Sequence, residues 1–413
     1  MAAGHTQATQ AAIRRAYATI YRPADAPVRR PVVPLNDAYD PLGLRIAGFV
    51  VKPSLEITRA YDTNPSRVPN GVRSAYTMVS PELQAKSEWA QHELGATLRG
   101  SYSSYDSLHS SDRPSADAKV FGRIDVTRDF RFDLEGRFLL GTDYPGSPNI
   151  QADLAKLPIS TTLGGTLGFA QRFGRFELAA KGLVDRTVYQ ASKFTDGSTF
   201  SNHDRDFNQY GGQVRASYEL TPGVKPFVEL GTDRRIHDLG SDRSGVQRDS
   251  NALMPKAGTT FELSRLITGE LSVGYLLRHY KDAGLQELRG VTADASLIWV
   301  MTGLTTATVT ATTRADESTV AGVSGAFRRD GGLQIEHAFR RWLIGTVKVG
   351  VGFDQYVGST RADARGSLSA ALTYKLNREV ALKGEVRQDW MRSNAANVDY
   401  NATTYLFGLK LQR

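Results

Sequence analysis

Along most of the chain, polar and apolar residues change places at every step. Leu94, Ala96, Leu98, Gly100 and Tyr102 share one parity, while Glu93, Thr97, Arg99 and Ser101 hold the other. The next segment repeats the rule, with Ala118, Val120, Gly122, Ile124 and Val126 set against Asp117, Lys119, Arg123 and Asp125. After a reversal at Arg128 and Asp129, Phe130, Phe132, Leu134, Gly136 and Phe138 oppose Arg131, Asp133, Glu135 and Arg137. A period of two belongs to extended strands whose two faces meet different surroundings. The pattern begins near Leu44 and runs to the C-terminus, where Tyr405, Phe407, Leu409 and Leu411 form a last apolar stripe. It divides into about eighteen segments of roughly ten to fourteen residues, centred from Ile57 and Pro81 through to Gly384 and Tyr405.

The connections alternate in length. Short reversals fall at Arg128-Asp129, Gly174-Arg175, Thr221-Pro222-Gly223, Ser264-Arg265, Thr302-Gly303, Arg340-Arg341 and Asn377-Arg378. Between them lie polar loops rich in Gly, Ser, Asp and Asn, such as Ser107 to Pro114, Pro145 to Pro158, Gln190 to Asp206 and His237 to Ser250. Soluble β-sandwiches also alternate, but their strands average about five or six residues. Segments twice that length suit tilted strands crossing roughly 25 Å of hydrocarbon. In lipid an open sheet edge would leave backbone donors and acceptors unpaired, so the first strand must meet the last. The expected fold is all-β, a transmembrane antiparallel up-and-down β-barrel of about 18 strands with short periplasmic turns and long extracellular loops. Tyr144, Tyr189, Tyr280, Tyr356 and Trp390 at the loop ends, and Phe130, Phe132, Phe173, Phe176, Phe339 and Trp342 near the turns, are expected to form two interfacial girdles.

Residues 1–43 lack the strand pattern and are read as a periplasmic leader, distinct from the barrel at 44–413. Thr6 to Tyr21 places Ile13, Tyr17 and Ile20 on one side of a short amphipathic helix, and the proline-rich stretch to Pro34 reads as an extended linker. A disordered leader, a lumen plug and a docking segment for a periplasmic partner all remain open for it. The leader has no apolar core of a secretory signal as written, so the barrel reading implies a precursor with one.

Composition narrows the classes further. No run approaches the eighteen consecutive apolar residues of a spanning helix. The absence of cysteine removes disulfide frameworks, thiolate metal sites and cysteine nucleophiles. A net charge of +8 would elsewhere suggest nucleic acid. Here the basic residues are spread along strands, so no nucleic-acid partner is expected. An eighteen-stranded ring is too wide for its own side chains to fill, which makes its polar face the lining of an aqueous passage. The inward basic candidates are Arg99, Lys119, Arg123, Arg131, Arg137, Lys181, Arg215, Lys256, Arg278, Lys348, Arg365, Lys383 and Arg387. The acidic ones are Asp125, Asp133, Glu135, Asp185, Glu229, Glu262, Glu270, Asp294 and Glu385. The small excess of cations points to anionic solutes. The competing account is that these charges pair across neighbouring strands, as Arg123 and Glu135 would, and merely order the wall.

The dipeptides His203-Asp204 and His237-Asp238 offer an acid/base pair, but no nucleophile motif, metal-ligand spacing or EF-hand loop accompanies them. No enzyme activity, metal or cofactor is expected.

The stretch YDPLGLRIAGFVVKPSLEITRAYDTNPSR (Tyr39 to Arg67) resembles the opening of a family of alphaproteobacterial outer-membrane β-barrel proteins, the β-barrel porins. TDYPGSPNI (Thr142 to Ile150), the PIS motif with its Gly-rich strand (Pro158 to Phe169) and the ending TTYLFGLKLQR are similar too. The resemblance covers Tyr39 to the end and carries no catalytic residues. Such barrels commonly end in an aromatic residue, whereas this chain ends Leu411-Gln412-Arg413. Some members accompany exopolysaccharide genes, which the resemblance makes a second expectation. The leading expectation is a bacterial outer-membrane channel for passive diffusion of small hydrophilic, preferentially anionic solutes. The alternatives are a conduit for exopolysaccharide export and a non-conducting structural or receptor barrel. Expected partners are outer-membrane lipid and lipopolysaccharide, small solutes or glycan, a periplasmic protein at residues 1–43, and further copies in a homo-oligomer.

Overall fold

The structure, a computed structural model, describes residues 39–413. Eighteen long strands form the ring. These are β1 (Phe49–Asp62), β2 (Ser74–Ser87), β3 (Glu93–Tyr105), β4 (Arg113–Asp125), β5 (Phe130–Thr142), β6 (Ile159–Phe173), β7 (Phe176–Tyr189), β8 (Phe207–Tyr218) and β9 (Val224–His237). The second half comprises β10 (Ser250–Ser264), β11 (Ile267–Tyr280), β12 (Leu288–Thr302), β13 (Thr305–Asp316), β14 (Gly325–Arg340), β15 (Leu343–Val357), β16 (Ala362–Lys375), β17 (Val380–Ser393) and β18 (Tyr400–Gln412). Each segment centre read from the sequence falls inside one of these strands.

Every strand is antiparallel to its chain neighbours, and β18 closes on β1 through Ser54↔Gln412 to Asp62↔Thr404. No edge remains, which is the condition for placing a sheet in hydrocarbon. A three-residue strand, Leu44–Ile46, folds back on Phe49–Val51 through positive-φ Ala47 and Gly48. Two prolines within strands interrupt the ladder locally: pairing of β2 with β3 lapses beside Pro81, and pairing of β10 with β11 lapses beside Pro255. Proline has no N–H to donate there.

The ring is polarised in the sense opposite to a soluble protein. Leu163, Val228 and Phe407 on the outside are about three-fifths exposed, whereas Arg278, Asp354 and Arg137 inside are almost wholly buried. This inversion is what a lipid surround outside and a polar interior require.

The turn-side aromatics stand where the sequence places them. Phe173, Phe176 and Phe339 project outward at 60%, 40% and 50% exposure. The loop-side girdle differs from expectation. Tyr144 bonds to Arg328 in the interior, and Tyr280 and Tyr356 are buried there. Tyr189 lies under the Arg205 guanidinium, 3.9 Å from the ring centroid. The Tyr144 hydroxyl meets Arg328 and the Tyr356 hydroxyl donates to Asp363 at 3.0 Å, charged partners that lipid does not offer. Trp390 keeps the outward parity expected of it, opposite Gly366 and Asn401, and is joined on that side by Tyr61, Tyr102, Tyr210, Tyr275, Phe353 and Tyr405. The proposed leader helix and linker lie outside the described residues.

Candidate functional site: the lumen and its mouth

Strand parity carries all twenty-two predicted lumen residues inward, because the register sets each opposite other interior positions. Lys119 faces Arg137, Arg123 faces Asp133 and Asp125 faces Arg131. Arg215 faces Glu229, which in turn faces Lys256. The structure groups most of them into ion pairs. Arg215 Nη2 lies 2.5 Å from Glu229 and its Nη1 lies 3.2 Å from Glu270. Lys256 reaches Asp294 at 2.5 Å, Lys383 reaches Glu385 at 3.2 Å and Arg99 reaches Glu82 at 2.7 Å. Arg131 approaches Asp133, and Arg123 approaches Asp125 and Glu93.

The expected Arg123–Glu135 pair does not form. Glu135 sits opposite Phe121, one inward position away from Arg123's partner, and is taken by Lys119 and Arg137. Lys348 and Glu262 have no ion pair within 4 Å among the described residues, and Glu262 is exposed at a turn.

Several pairs skip a strand, and inward glycines make this feasible. Arg137 of β5 reaches Asp185 of β7 at 2.5 Å across Gly164 of β6. A Cβ on Gly164 would fall on Asp185 Oδ1. Arg365 of β16 reaches Asp330 of β14 at 2.9 Å across Gly352, where a Cβ would come within 2.7 Å of Arg365 Nη2 and 2.9 Å of Asp330 Oδ1. Lys256 crosses above Gly274 of β11 toward Asp294 of β12 in the same way. A missing side chain on the middle strand thus opens a saddle in which two long charged groups meet. Burial without such pairing would cost several kcal/mol per charge.

Exposure falls from one end of the lumen to the other. Near the turns, Arg172 and Arg123 side chains keep 47% and 44% of their surface. Toward the loops, Arg137 and Arg278 keep 3% each.

The reason is the connection 143–158 between β5 and β6, which does not stay above its own strands. Tyr144 Oη accepts a hydrogen bond from Arg328 Nη2 at 3.0 Å, and Asn149 Oδ1 accepts from Thr319 N at 3.0 Å and Thr319 Oγ1 at 3.1 Å. Arg328 is on β14 and Thr319 precedes that strand, half-way round the ring from β5. Along its course Gly146, with φ +82°, passes the Arg67 carbonyl and the Tyr400 ring so closely that a Cβ there would sit 3.0 and 3.2 Å from them. The near end is tied by Arg205 to Asp143 at 2.9 Å, and a small sheet joins Leu154–Lys156 to Ser192–Phe194 and Thr199–Phe200 of the β7–β8 loop.

From the opposite wall, the loop 317–324 turns inward to meet it. Glu317 accepts from Arg235 at 2.9 Å and lies 3.3 Å from His237 Nε2, both on β9. Burial works to raise the Glu317 carboxyl, but His237 and Arg235 outweigh it and hold the group well below the usual carboxylate range. Burial pushes the Tyr144 hydroxyl up, keeping it neutral. The mouth is therefore spanned by two loops anchored to charged groups on the walls.

The two His-Asp dipeptides are pulled apart. His203 Nδ1 meets Asp206 at 2.9 Å, Asp204 is held by Arg243, His237 faces Glu317, and Asp238 is held by Arg186. Among the described residues no three His, Cys, Asp or Glu side chains gather as a metal site.

The residues that sequence reasoning missed are those of the mouth: Arg67, Arg113, Tyr144, Glu317, Arg328, Asp330, Asp354 and Tyr400. For the strand members the signal was present, since Arg328, Asp330 and Asp354 share the inward parity of Gln334 and Lys348. For Arg67, Tyr144 and Glu317 it was not, because loop residues carry no period.

Solved structures with similar chain traces include the siderophore receptor PirA from Acinetobacter baumannii, at 8% identity and TM-score 0.43, over 88% of this chain and 80% of that one. OccK2 (OpdF) from Pseudomonas aeruginosa is similar at 13% identity and TM-score 0.45, over 88% of this chain and 97% of that one. OccK3 (OpdO) from the same organism is similar at 16% identity and TM-score 0.42, over 88% and 95%. Among curated proteins none matches this sequence. The sequence itself matches a family over residues 37–413, nearly the whole length and every strand of the ring, and the chain belongs to that family, described as putative beta-barrel porin 2.

Proposed function

We propose that this protein is an outer-membrane, porin-like channel for passive diffusion of small hydrophilic solutes, with a preference for anions. The observation that carries the reading is the inverted polarity of a closed ring: charged rows line the interior and apolar rows face outward, an arrangement that membrane barrels use to hold a polar lumen. The crossing of the mouth by 143–158 favours small solutes over a polymer, because a strap tied to both walls leaves little room for a glycan chain. Charged side chains lining a narrow passage set its electrostatic barrier.

Planar-bilayer recording of the purified full chain under a KCl gradient tests this. The expected result is discrete conductance steps with a reversal potential on the chloride side of zero. A sealed bilayer overturns the channel, and clear cation selectivity overturns the anion preference.

A further inference from the structure

Among the cavities of the described residues, one of about 90 Å³ lies beside the crossing loop, against the wall formed by β14 to β18. Its charged lining is uneven: Arg67, Arg113, Arg365 and Arg387 are set against Asp330 and Asp389. At about 30 Å³ per water it has room for roughly three waters or one oxyanion head group.

The arginines are not equivalent. Arg67 spends Nη1 on Asp62 at 2.9 Å and Nη2 on Asp389 at 3.3 Å. Arg365 bonds Asp354 and Asp330 through Nε and Nη2, and Arg387 bonds Asp389 through the same two atoms. Arg113 is buried and has no carboxylate partner among the described residues. Its Nε donates to the Ser111 carbonyl at 3.0 Å and its Nη2 to the Tyr105 hydroxyl at 2.6 Å. Arg113, Arg365 and Arg387 therefore each keep an Nη1 with no acceptor among the described residues, and none of the three is a sealed, orphaned atom. A buried guanidinium without a counter-charge is costly unless something anionic visits it. A planar fork of donors matches the two oxygens of a carboxylate or phosphate.

We infer that this cavity is an anion-binding site, taking the oxyanion head group of a carboxylate- or phosphate-bearing solute between Arg113, Arg365 and Arg387 at the narrowed mouth. The inference deepens the channel reading and rests on it for its role in passage, but binding itself does not require conduction. The site gives anion preference a place: a cluster on one wall in which Arg113 has no carboxylate partner among the described residues and Arg365 and Arg387 each keep a donor beside their aspartates.

The test uses the folded full chain in detergent, titrated calorimetrically with sodium phosphate and, separately, sodium acetate at constant ionic strength. Chloride current in a bilayer is recorded with the same additions. The expected result is saturable binding of phosphate, of acetate or of both, with a matching saturable reduction of chloride current. The Arg113→Gln variant weakens binding at least about tenfold, the scale of one charge-assisted hydrogen bond. Arg387→Gln, which leaves the Arg113 anchors untouched, weakens it in the same direction. Heat-dependent gel mobility confirms that both variants remain folded.

Normal chloride current with no saturable binding of either anion overturns the site and leaves the channel standing. Binding without current overturns the channel and supports the site. Binding unchanged in both folded variants overturns the assignment to these residues. Phosphate binding alone identifies phosphate-bearing solutes, and acetate binding alone identifies carboxylates.

Discussion

The strand-skipping ion pairs make a sharp demand on Gly164. Replacing it with alanine puts a methyl group on Asp185 Oδ1 and 3.1 Å from Arg137 Nε. The carboxylate must swing away, yet the two side chains are only 7% and 3% exposed, so water cannot readily take Arg137's place as partner. Removing one member of a buried pair costs about 3–5 kcal/mol. Here both charges survive and relax in part, so the loss is closer to that of a hydrogen bond between charged groups, roughly 1.5–3 kcal/mol. Against it stands a gain of roughly 0.5–1 kcal/mol from replacing glycine within a strand. The net expectation for Gly164→Ala is a loss of about 0.5–2.5 kcal/mol, and its difference from a glycine replaced without that clash is roughly 1.5–3 kcal/mol. Gly182→Ala is the internal control: it lies on the adjacent strand β7, faces outward, and its added methyl meets nothing within 4 Å. It should be neutral or slightly stabilising. Equilibrium urea unfolding of both variants in lipid vesicles, followed by tryptophan fluorescence, measures the difference. If the two variants agree within about 0.5 kcal/mol, the glycine saddle is not what permits the Arg137–Asp185 pair and the reasoning fails.

Three further outcomes follow from the same geometry. Leu167→Arg, on the outward face near the middle of β6, should destabilise the barrel in vesicles by about 2–4 kcal/mol, whereas a soluble-type core would place Leu167 inside. Asn149→Ala removes both bonds to Thr319 and frees the far end of the crossing loop, so single-channel conductance should rise or its open-state noise increase, while unfolding midpoints shift little. Glu317, whose carboxyl is depressed in the folded state, contributes stability that is fully present above its unfolded value of about 4.3 and is lost only as pH falls below that toward the folded value. The carboxylate is thus ionised at neutral pH, and Glu317→Gln should reproduce there, as a changed conductance, the loosened state that wild type reaches only in acid.

The fold was legible because it rests on a two-residue period sustained from β1 to β18, and that period is enforced by the contrast between lipid and water. Strand positions, turn sides and the inward face of residues such as Arg215, Glu270 and Lys383 all follow from parity. Partnering was less legible. Arg137 and Asp185 lie on strands that do not touch, and only the emptiness of Gly164 between them makes the pair; sequence reasoning that pairs adjacent strands assigns Glu135 to Arg123 instead. The tyrosines near the loops were misplaced by composition: Tyr280 and Tyr356 share the parity of Arg278 and Asp354, and that parity outranks the general tendency of aromatics to sit at interfaces. The crossing of the mouth by 143–158 had no periodic signature, and the TDYPGSPNI motif within it does not tell where the loop goes, since the path depends on single hydrogen bonds between irregular segments far apart in the chain.

The gradient of wetting along the lumen has a consequence for electrical behaviour. A solute entering beside the turns travels through a hydrated antechamber before it meets resistance, whereas one entering beside the loops meets the tight zone at once. Equal and opposite voltages then load that zone from reservoirs of different access resistance. The current–voltage curve of a uniformly oriented population should bend, and the direction of the bend would report which end of each molecule faces which bath.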